Sequence, residues 1–187
     1  PWWRELNSVA QHMTEFDLTL ETTHHGPWIE TPSLFIEIGS TDATWGHEGA
    51  AEILAGIIHR GLGLDGSGGI GNWQGEGLVV ITLGGGHYAP RGNKLGMVDG
   101  VWLGHMLATY ALPFTRDEDE NIGGMWETSI RQAVLATKQA FPGGSIVCSM
   151  DKKAFKGWQR QAIRDLLAEL KVPLLKRAEI IEMANRQ

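Results

Sequence analysis

Hydrophobic and polar residues alternate in two short segments near the start of the chain, 16–22 and 33–39. Alternation of this kind is typical of a strand with one buried face. Residues 78–83 form a continuous apolar run, which favours a strand that is covered on both faces, and 145–150 indicate a further strand. The first two strands are too close in sequence for a helix between them, so a mixed sheet is expected.

Apolar residues recur at helical spacing in the segments between and after these strands. The pattern predicts helices over 48–60, 101–110, 125–140 and 157–171, and Gly61 supplies the stop signal for the first of them. Because strands and helices alternate along the chain, we predict an α/β fold with three layers, α/β/α, around the mixed sheet.

The composition is that of one compact domain, which we expect to span residues 1–187. The chain is 42% hydrophobic and has one cysteine, Cys148, so neither an intrachain disulfide nor a zinc cage of several cysteines is possible. No apolar run approaches the roughly 20 residues that a transmembrane helix needs, and the first residues lack the layout of a signal peptide. These features favour a cytoplasmic protein.

The net charge of −6 is unevenly distributed along the chain. Residues 1–150 hold 7 basic and 17 acidic residues, whereas 151–187 hold 9 basic and 5 acidic ones. An acidic protein that binds a polyanion must concentrate its cations locally. Near the end of the chain, one surface patch could bring together five basic side chains: Lys152, Lys153, Lys156, Arg160 and Arg164. An ordinary solvated helix face is the alternative.

Groups that can bind a metal or move protons follow three of the predicted strands. Glu21, His24 and His25 lie at the end of the first, Glu37 near the end of the second, and His87 after the third. Ligands of open α/β sheets bind beyond the carboxyl ends of the strands, so these side chains would converge if the strands are parallel neighbours. Each residue taken alone is also typical of a structural, hydrogen-bonded side chain.

Glu37 shares one face of its predicted strand with Phe35. A carboxylate beside an aromatic ring normally needs a partner. A salt bridge at the end of the strand is the structural alternative to a functional role.

Three consecutive glycines, Gly84, Gly85 and Gly86, precede His87. Glycines allow a backbone to approach a ligand closely and to offer its N–H groups to an anion. A tight turn is the alternative interpretation. The segment is not a phosphate-binding Walker loop, because no Gly-Lys-Ser or Gly-Lys-Thr follows it.

Several longer runs of sequence are similar to those of one known protein family. The clearest are Thr22-Thr23-His24-His25-Gly26-Pro27, Pro32-Ser33-Leu34-Phe35-Ile36-Glu37-Ile38-Gly39-Ser40 and Gly84-Gly85-Gly86-His87-Tyr88-Ala89-Pro90-Arg91. On these runs the chain resembles the archaeal and plant type of D-aminoacyl-tRNA deacylase, from about residue 5 to about residue 171.

The resemblance implies an enzyme that hydrolyses the ester between a D-amino acid and the terminal ribose of tRNA. It also implies zinc as a cofactor, D-aminoacyl-tRNA as the partner, and a fold of the phosphorylase and peptidyl-tRNA hydrolase type. Members of this family extend well upstream of the residue at which this chain starts. A strand-bearing N-terminal portion is therefore expected to be absent here.

The same resemblance implies roles for the polar residues after the predicted strands. Zinc would be held by His24, His87 and a carboxylate such as Glu21, with one position open for water, and Glu37 or His25 would be the base. Which of the two adjacent histidines binds the metal stays open.

The remaining candidate residues are expected to contact the substrate. Backbone N–H groups of Gly84, Gly85 and Gly86 would face the oxyanion, and Tyr88 and Arg91 would bind the substrate. The five basic residues between Lys152 and Arg164 would bind tRNA.

Two other functions are compatible with the same sequence features. A peptidase or a nucleoside phosphorylase could use the same crevice of an α/β sheet, and a non-catalytic module could bind tRNA without hydrolysing it.

Overall fold

The computed structural model describes residues 1–23, 33–39 and 41–186. The chain forms two compact units: Pro1–Leu18 with Pro27–Trp73, and Thr19–Gly26 with Gln74–Gln187. The prediction of a single domain stays a prediction. Within the described ranges, no helix is long and apolar enough to cross a membrane.

The first unit is helical in its described part. Helix α1 spans Trp2–Ala10, α2 spans Asp42–Trp45 and α3 spans Glu48–Gly61. Glu5 of α1 accepts hydrogen bonds from the guanidinium of Arg60 in α3, the shorter of them 2.7 Å long. The apolar stripe of α3 buries Ile57 completely, which confirms the helix predicted over 48–60.

The second unit contains all the described strands. They are β1 (Leu78–Leu83), β2 (Val101–Leu107), β3 (Thr115–Arg116), β4 (Ile122–Gly123) and β5 (Ser145–Met150). Strands β2, β1 and β5 form a parallel sheet in that order, and β3 pairs with β4 in an antiparallel ribbon. The helices of this unit are α4 (Pro90–Gly96), α5 (Trp126–Ala140), α6 (Gly157–Glu169) and α7 (Arg177–Ala184).

Alternate residues of β1 pack into two separate cores. Ile81 and Leu83 face the core that contains Ile130 of α5 and Ile163 of α6. Leu78 and Val80 face the other core, which holds Leu95 of α4 and Ile180 of α7. Because both faces of the parallel sheet are covered by helices, the second unit has three α/β/α layers and the predicted α/β class is confirmed.

The helix predicted over 101–110 is wrong, because residues 101–107 form the parallel strand β2. Every residue of β2 is buried or half-buried, so no polar face is exposed as it would be on a surface helix. A Cβ atom on Gly104 would lie 2.7 Å from Cγ2 of Thr137, so glycine lets α5 pack directly on this strand.

The strands predicted over 16–22 and 33–39 are also wrong. Both segments lack regular secondary structure, and neither pairs with another strand in the described part of the chain. Alternation alone cannot make a strand, because a strand also needs a neighbour that satisfies its backbone N–H and C=O groups. Helices over 126–140 and 157–169 and strands over 78–83 and 145–150 confirm the remaining predictions to within two residues.

Candidate active site

The segments that follow β1, β2 and β5 meet at one edge of the sheet. Because these strands are parallel, their carboxyl ends lie side by side. The N–H of Gly84, after β1, donates to the carbonyl of Leu107 in β2 over 2.8 Å. The N–H of Asp151, after β5, donates to the carbonyl of Leu83 over 2.8 Å. This edge is the place where the sequence pattern predicts the chemistry.

His87 and Glu21 form a direct pair at this edge. The Nε2 atom of His87 lies 3.0 Å from Oε1 of Glu21, and their side chains are 38% and 42% exposed. An ion pair this open to water contributes only about 0–1 kcal/mol to stability. The pair therefore contributes little to fold stability. It lies beyond the carboxyl ends of parallel strands, where open α/β sheets commonly bind ligands.

The segment 19–23 is fixed to the sheet edge by hydrogen bonds to scattered partners. The N–H of Thr22 donates to the carbonyl of His87, and the N–H of Thr23 to the carbonyl of Met106, each over 2.8 Å. The N–H of Leu20 donates to Oδ1 of Asn93 over 2.7 Å. These bonds place Glu21 beside His87 without the continuous ladder of a strand.

The glycine loop is needed for close packing, and two of its three amides are already used. Gly84 and Gly85 have φ angles of 89° and 91°, and a Cβ atom on Gly84 would lie 2.7 Å from Cε2 of Phe155. The N–H of Gly85 donates to Oγ1 of Thr109, while that of Gly84 is bonded within the sheet edge. Within the described part of the chain no acceptor bonds the N–H of exposed Gly86, and the oxyanion role expected of the loop stays a prediction.

Tyr88 lies in a turn directly after His87. Its ring meets the imidazole edge to face, with centroids 4.8 Å apart. The carbonyl of Tyr88 accepts hydrogen bonds from the side chains of Thr19 and Asn93. Ala89, the next residue, has a φ of 38°, a conformation that residues other than glycine rarely adopt and that is concentrated at functional sites.

Arg91, a predicted substrate-binding residue, points to the end of β5. Its Nη1 atom donates to Oγ of Ser149 over 3.4 Å, and Nη2 lies 3.7 Å from Oδ1 of Asp151. The buried Nε of Arg91 has no hydrogen-bond partner among residues 1–23, 33–39 and 41–186. Much of the guanidinium is therefore held against the sheet edge.

The five predicted tRNA-binding residues divide into two kinds. Lys152, Lys153 and Lys156 are exposed. The guanidinium of Arg160 instead donates to the carbonyls of Lys152 and Phe155 over 3.0 and 2.9 Å. The fifth residue, half-buried Arg164, donates to the side chain of Gln161 in its own helix.

The placement of three predicted site residues relative to this edge stays a prediction. His24 and His25 lie outside the described residues. Glu37 is exposed and belongs to the first unit, while Glu21 and His87 belong to the second, so an arrangement of Glu37 opposite His87 stays a prediction.

The described residues do not by themselves make a zinc site. Glu21 and His87, two of the expected ligands, hydrogen-bond to each other. Within 1–23, 33–39 and 41–186, no three His, Cys, Asp or Glu side chains are grouped so that they could hold a metal ion. Zinc binding through His24 and His87 therefore stays a prediction.

Cys148 and His105, in contrast, are built into the interior of the fold. Burial raises the pKa of the fully buried Cys148 thiol, so this residue is a neutral thiol at neutral pH. Burial lowers the pKa of His105, whose Nδ1 lies 3.1 Å from Oγ1 of Thr137. Both side chains are therefore parts of the packed interior of the second unit.

The sequence pattern does not reveal that Tyr110 and Thr22 also lie beside His87. The hydroxyl of Tyr110 lies 3.5 Å from Nδ1 of His87 and 3.3 Å from Oγ1 of Thr22. Tyr110 falls within the predicted helix 101–110, which gives no reason to assign it to a site. If 101–107 is recognised as a strand, Tyr110 follows its carboxyl end just as His87 follows that of β1.

The chain is thus an α/β protein whose polar residues cluster beyond the carboxyl ends of parallel strands. A family model described as D-aminoacyl-tRNA deacylase matches residues 1–175, and the chain belongs to that family. The family resemblance seen in the sequence is thereby confirmed.

Individual relatives agree with this assignment. The chain is 44% identical over 182 residues to a D-aminoacyl-tRNA deacylase of Arabidopsis thaliana, covering 90% of this chain and 57% of the relative. It is 33% identical to one of Pyrococcus abyssi, covering 92% and 54%. The chain thus spans little more than half the length of these relatives.

A solved structure supports the fold. The crystal structure of a conserved protein of unknown function matches with a TM-score of 0.71 and 25% identity. The match covers 97% of this chain and 56% of the other.

Proposed function

We propose that this chain carries the hydrolytic site of a D-aminoacyl-tRNA deacylase, which releases a free D-amino acid from tRNA. The observation that carries the proposal is the Glu21–His87 pair at the carboxyl edge of the sheet. Membership of the deacylase family supplies the substrate class.

In this proposal the pair with Glu21 leaves Nδ1 of His87 as the base. An ionised carboxylate only accepts hydrogen bonds, so Nε2 of His87 must donate its proton to Glu21. The lone pair of the neutral ring then lies on Nδ1. A histidine held by a carboxylate in this way is suited to take a proton from water, because Glu21 stabilises the imidazolium that forms.

The proposed reaction uses one water and one histidine. As the water oxygen attacks the ester carbonyl carbon, Nδ1 of His87 takes one of its protons. The bond between that carbon and the ribose oxygen then breaks, and the imidazolium returns the proton to the ribose. The products are a D-amino acid and a tRNA with its ribose hydroxyl restored. The N–H of exposed Gly86 is the proposed donor to the oxyanion.

Exposed lysines next to the site support tRNA as the substrate. Lys152 and Lys153 follow Asp151, whose own N–H bonds to the end of β1. Cations at this point would contact phosphates close to the scissile ester. A cytoplasmic location belongs to the same proposal.

Zinc held by His24 and His87 is proposed from the family resemblance alone and is an alternative to the base role of His87, because a ring that binds zinc through one nitrogen carries its proton on the other and could not accept a proton from water. Elemental analysis of the full-length natural protein, compared with its His24→Ala and His87→Ala variants, tests the proposed ligands. Stoichiometric zinc that disappears in both variants would support them, and unchanged zinc in both would exclude them.

The proposed function is tested by incubating the full-length protein with D-aminoacyl-tRNA, L-aminoacyl-tRNA and a free D-peptide. We expect release from the first substrate alone, and His87→Ala to lower kcat by roughly 10²–10⁴. His12→Ala, which removes an exposed histidine of the first unit, is the matched control. Release from the peptide would indicate a peptidase, and binding of tRNA without release would indicate a binding module.

A further inference from the structure

The guanidinium of Arg91 lies at the end of β5 with most of its N–H groups unused. Its Nη1 atom donates to buried Ser149 over 3.4 Å, and its Nη2 atom is 3.7 Å from Oδ1 of Asp151, which is too far for a hydrogen bond. Its buried Nε atom has no partner within residues 1–23, 33–39 and 41–186. In those ranges Arg91 therefore makes one hydrogen bond, and that bond is long.

Arg131 shows how closely an arginine can be bonded in the same unit. Its side chain is 36% exposed, compared with 29% for Arg91. It donates to Glu127 over 2.9 Å and to Glu169 over 2.8 Å. Arg91 would break few bonds by moving its guanidinium onto an anion, whereas Arg131 would have to release two carboxylates.

The charges at the end of β5 leave an excess of cations around Arg91. Asp151 faces the guanidinium, but its Oδ1 atom already accepts a hydrogen bond from the N–H of Lys153 over 3.1 Å. Lys152 and Lys153 are both exposed. These four residues carry three positive charges and one negative charge, so together they attract an anion.

Arg91 also borders the glycine loop, 84–86. A Cβ atom on Gly85 would lie 3.5 Å from Cγ and Cδ of Pro90, so the residue before Arg91 packs on this loop. The N–H of Asp151 donates to the carbonyl of Leu83, directly before the loop. The guanidinium thus lies on the β5 side of the edge at which the ester is proposed to react.

We propose that Arg91 binds the phosphate on the 5′ side of the terminal adenosine of tRNA, and that this contact positions the ester at the sheet edge. The inference rests on the proposed function, because it assumes cleavage beside the glycine loop, but it does not depend on how the water is activated. The phosphate and the ester belong to one nucleotide, so a cation beside the ester site is placed to reach it. A planar guanidinium also matches phosphate oxygens with two parallel hydrogen bonds.

The test compares two small substrates that differ by this one phosphate. They are the D-phenylalanyl ester of adenosine and that of adenosine 5′-monophosphate, each with the amino acid on a ribose hydroxyl. We expect kcat/KM of the full-length protein to be roughly 10-fold to 100-fold higher for the ester with the phosphate. In Arg91→Gln the two values should become nearly equal. The readout is a ratio, so it does not depend on the fraction of the variant that is folded.

Arg131→Gln is the matched control. It removes an arginine of similar exposure whose donors already bond two carboxylates, so the preference for the phosphate should keep its parental value. Arg91→Lys keeps the charge but loses the planar fork, and it should retain only part of the preference. An equal loss of preference in Arg131→Gln would overturn the inference.

The D-aspartyl ester of adenosine tests the other source of an anion, which is the side chain of the amino acid. This substrate carries a carboxylate and no phosphate. A loss of kcat/KM in Arg91→Gln that is confined to the D-aspartyl ester, with the preference for the phosphate intact, would overturn the inference. Arg91 would then bind the amino acid and not the nucleotide.

The inference and the proposed function fail in different ways. If the full-length protein hydrolyses neither D-aminoacyl-tRNA nor the phenylalanyl esters, the proposed function is wrong. If it hydrolyses D-aminoacyl-tRNA without preferring the ester that carries the phosphate, or if Arg91→Gln keeps that preference, the phosphate-binding role of Arg91 alone is wrong.

Discussion

Two segments of the chain show the same alternating pattern and end in very different structures. Residues 19–23 are bonded through Leu20, Thr22 and Thr23 to the sheet edge of the second unit. Residues 33–39 form no regular structure, and Leu34 and Phe35 are 52% and 69% exposed. The difference shows that a carboxylate acquires a defined position from the bonds of its neighbours, and not from the hydrophobic pattern around it.

Removal of the two carboxylates, Glu21 and Glu37, in turn is expected to have the most unequal effects on kcat. In Glu21→Gln the amide no longer stabilises an imidazolium, so we expect kcat to fall by roughly 10²–10⁴ with KM nearly constant. Steady-state kinetics on D-aminoacyl-tRNA measures this fall beside that of Glu37→Gln. A larger fall in Glu37→Gln would restore Glu37 as the base and would reverse the comparison.

A second prediction concerns the packing that holds the sheet edge in place. Gly84→Ala introduces a Cβ atom 2.7 Å from Cε2 of Phe155 at a φ of 89°. We expect the free energy of unfolding to fall by about 1–3 kcal/mol, measured by urea denaturation. The control is Gly86→Ala, where the added Cβ meets nothing within 4 Å. Equal stability of the two variants would mean that the edge tolerates displacement near His87.

The basic segment likewise contains exposed lysines and an arginine that is bonded to the backbone. Replacing Lys152, Lys153 and Lys156 by glutamine should weaken tRNA binding and lower the slope of log Kd against log salt by about 1 for each phosphate that is no longer neutralised. Filter binding at several salt concentrations measures the slope. Arg160→Gln should instead lower stability, because its guanidinium bonds two carbonyls. An unchanged slope in the lysine variant would argue against tRNA binding here.

The smallest expected effect concerns Cys148, whose pKa is raised by burial. In the unfolded chain this thiol has an ordinary pKa of about 8.5, so its contribution to stability is complete below that pH. Above it the contribution declines progressively, since the unfolded state gains a thiolate that the folded state disfavours. Urea denaturation between pH 7 and pH 10 should show that the free energy of unfolding declines less steeply in Cys148→Ala than in the parent. The zinc content of this variant should equal that of the parent. Parallel declines would contradict the burial argument.

Much of the fold follows from the sequence because its strongest patterns are local. The apolar run of β1 and the helical stripe of α3 each determine their own structure. Strand β2 resembles a helix in its sequence, because the spacing of its apolar residues fits both a helix and a strand. Its pairing with β1 joins residues that are distant in sequence, so no local pattern reveals it. The site can be predicted only in part for the same reason. His87 follows a strand that is recognisable from the sequence, whereas Tyr110 follows one that is not.

The left-handed conformation of Ala89 has a consequence for engineering the heat stability of this protein. Substitution by glycine would relieve about 1–2 kcal/mol of backbone strain and would also enlarge the conformational freedom of the unfolded chain, so the two effects oppose each other. Differential scanning calorimetry should therefore show a melting temperature that changes little. The turn that carries Tyr88 would nevertheless be looser. A screen based on melting temperature alone would accept this variant without detecting the rigidity that it had removed.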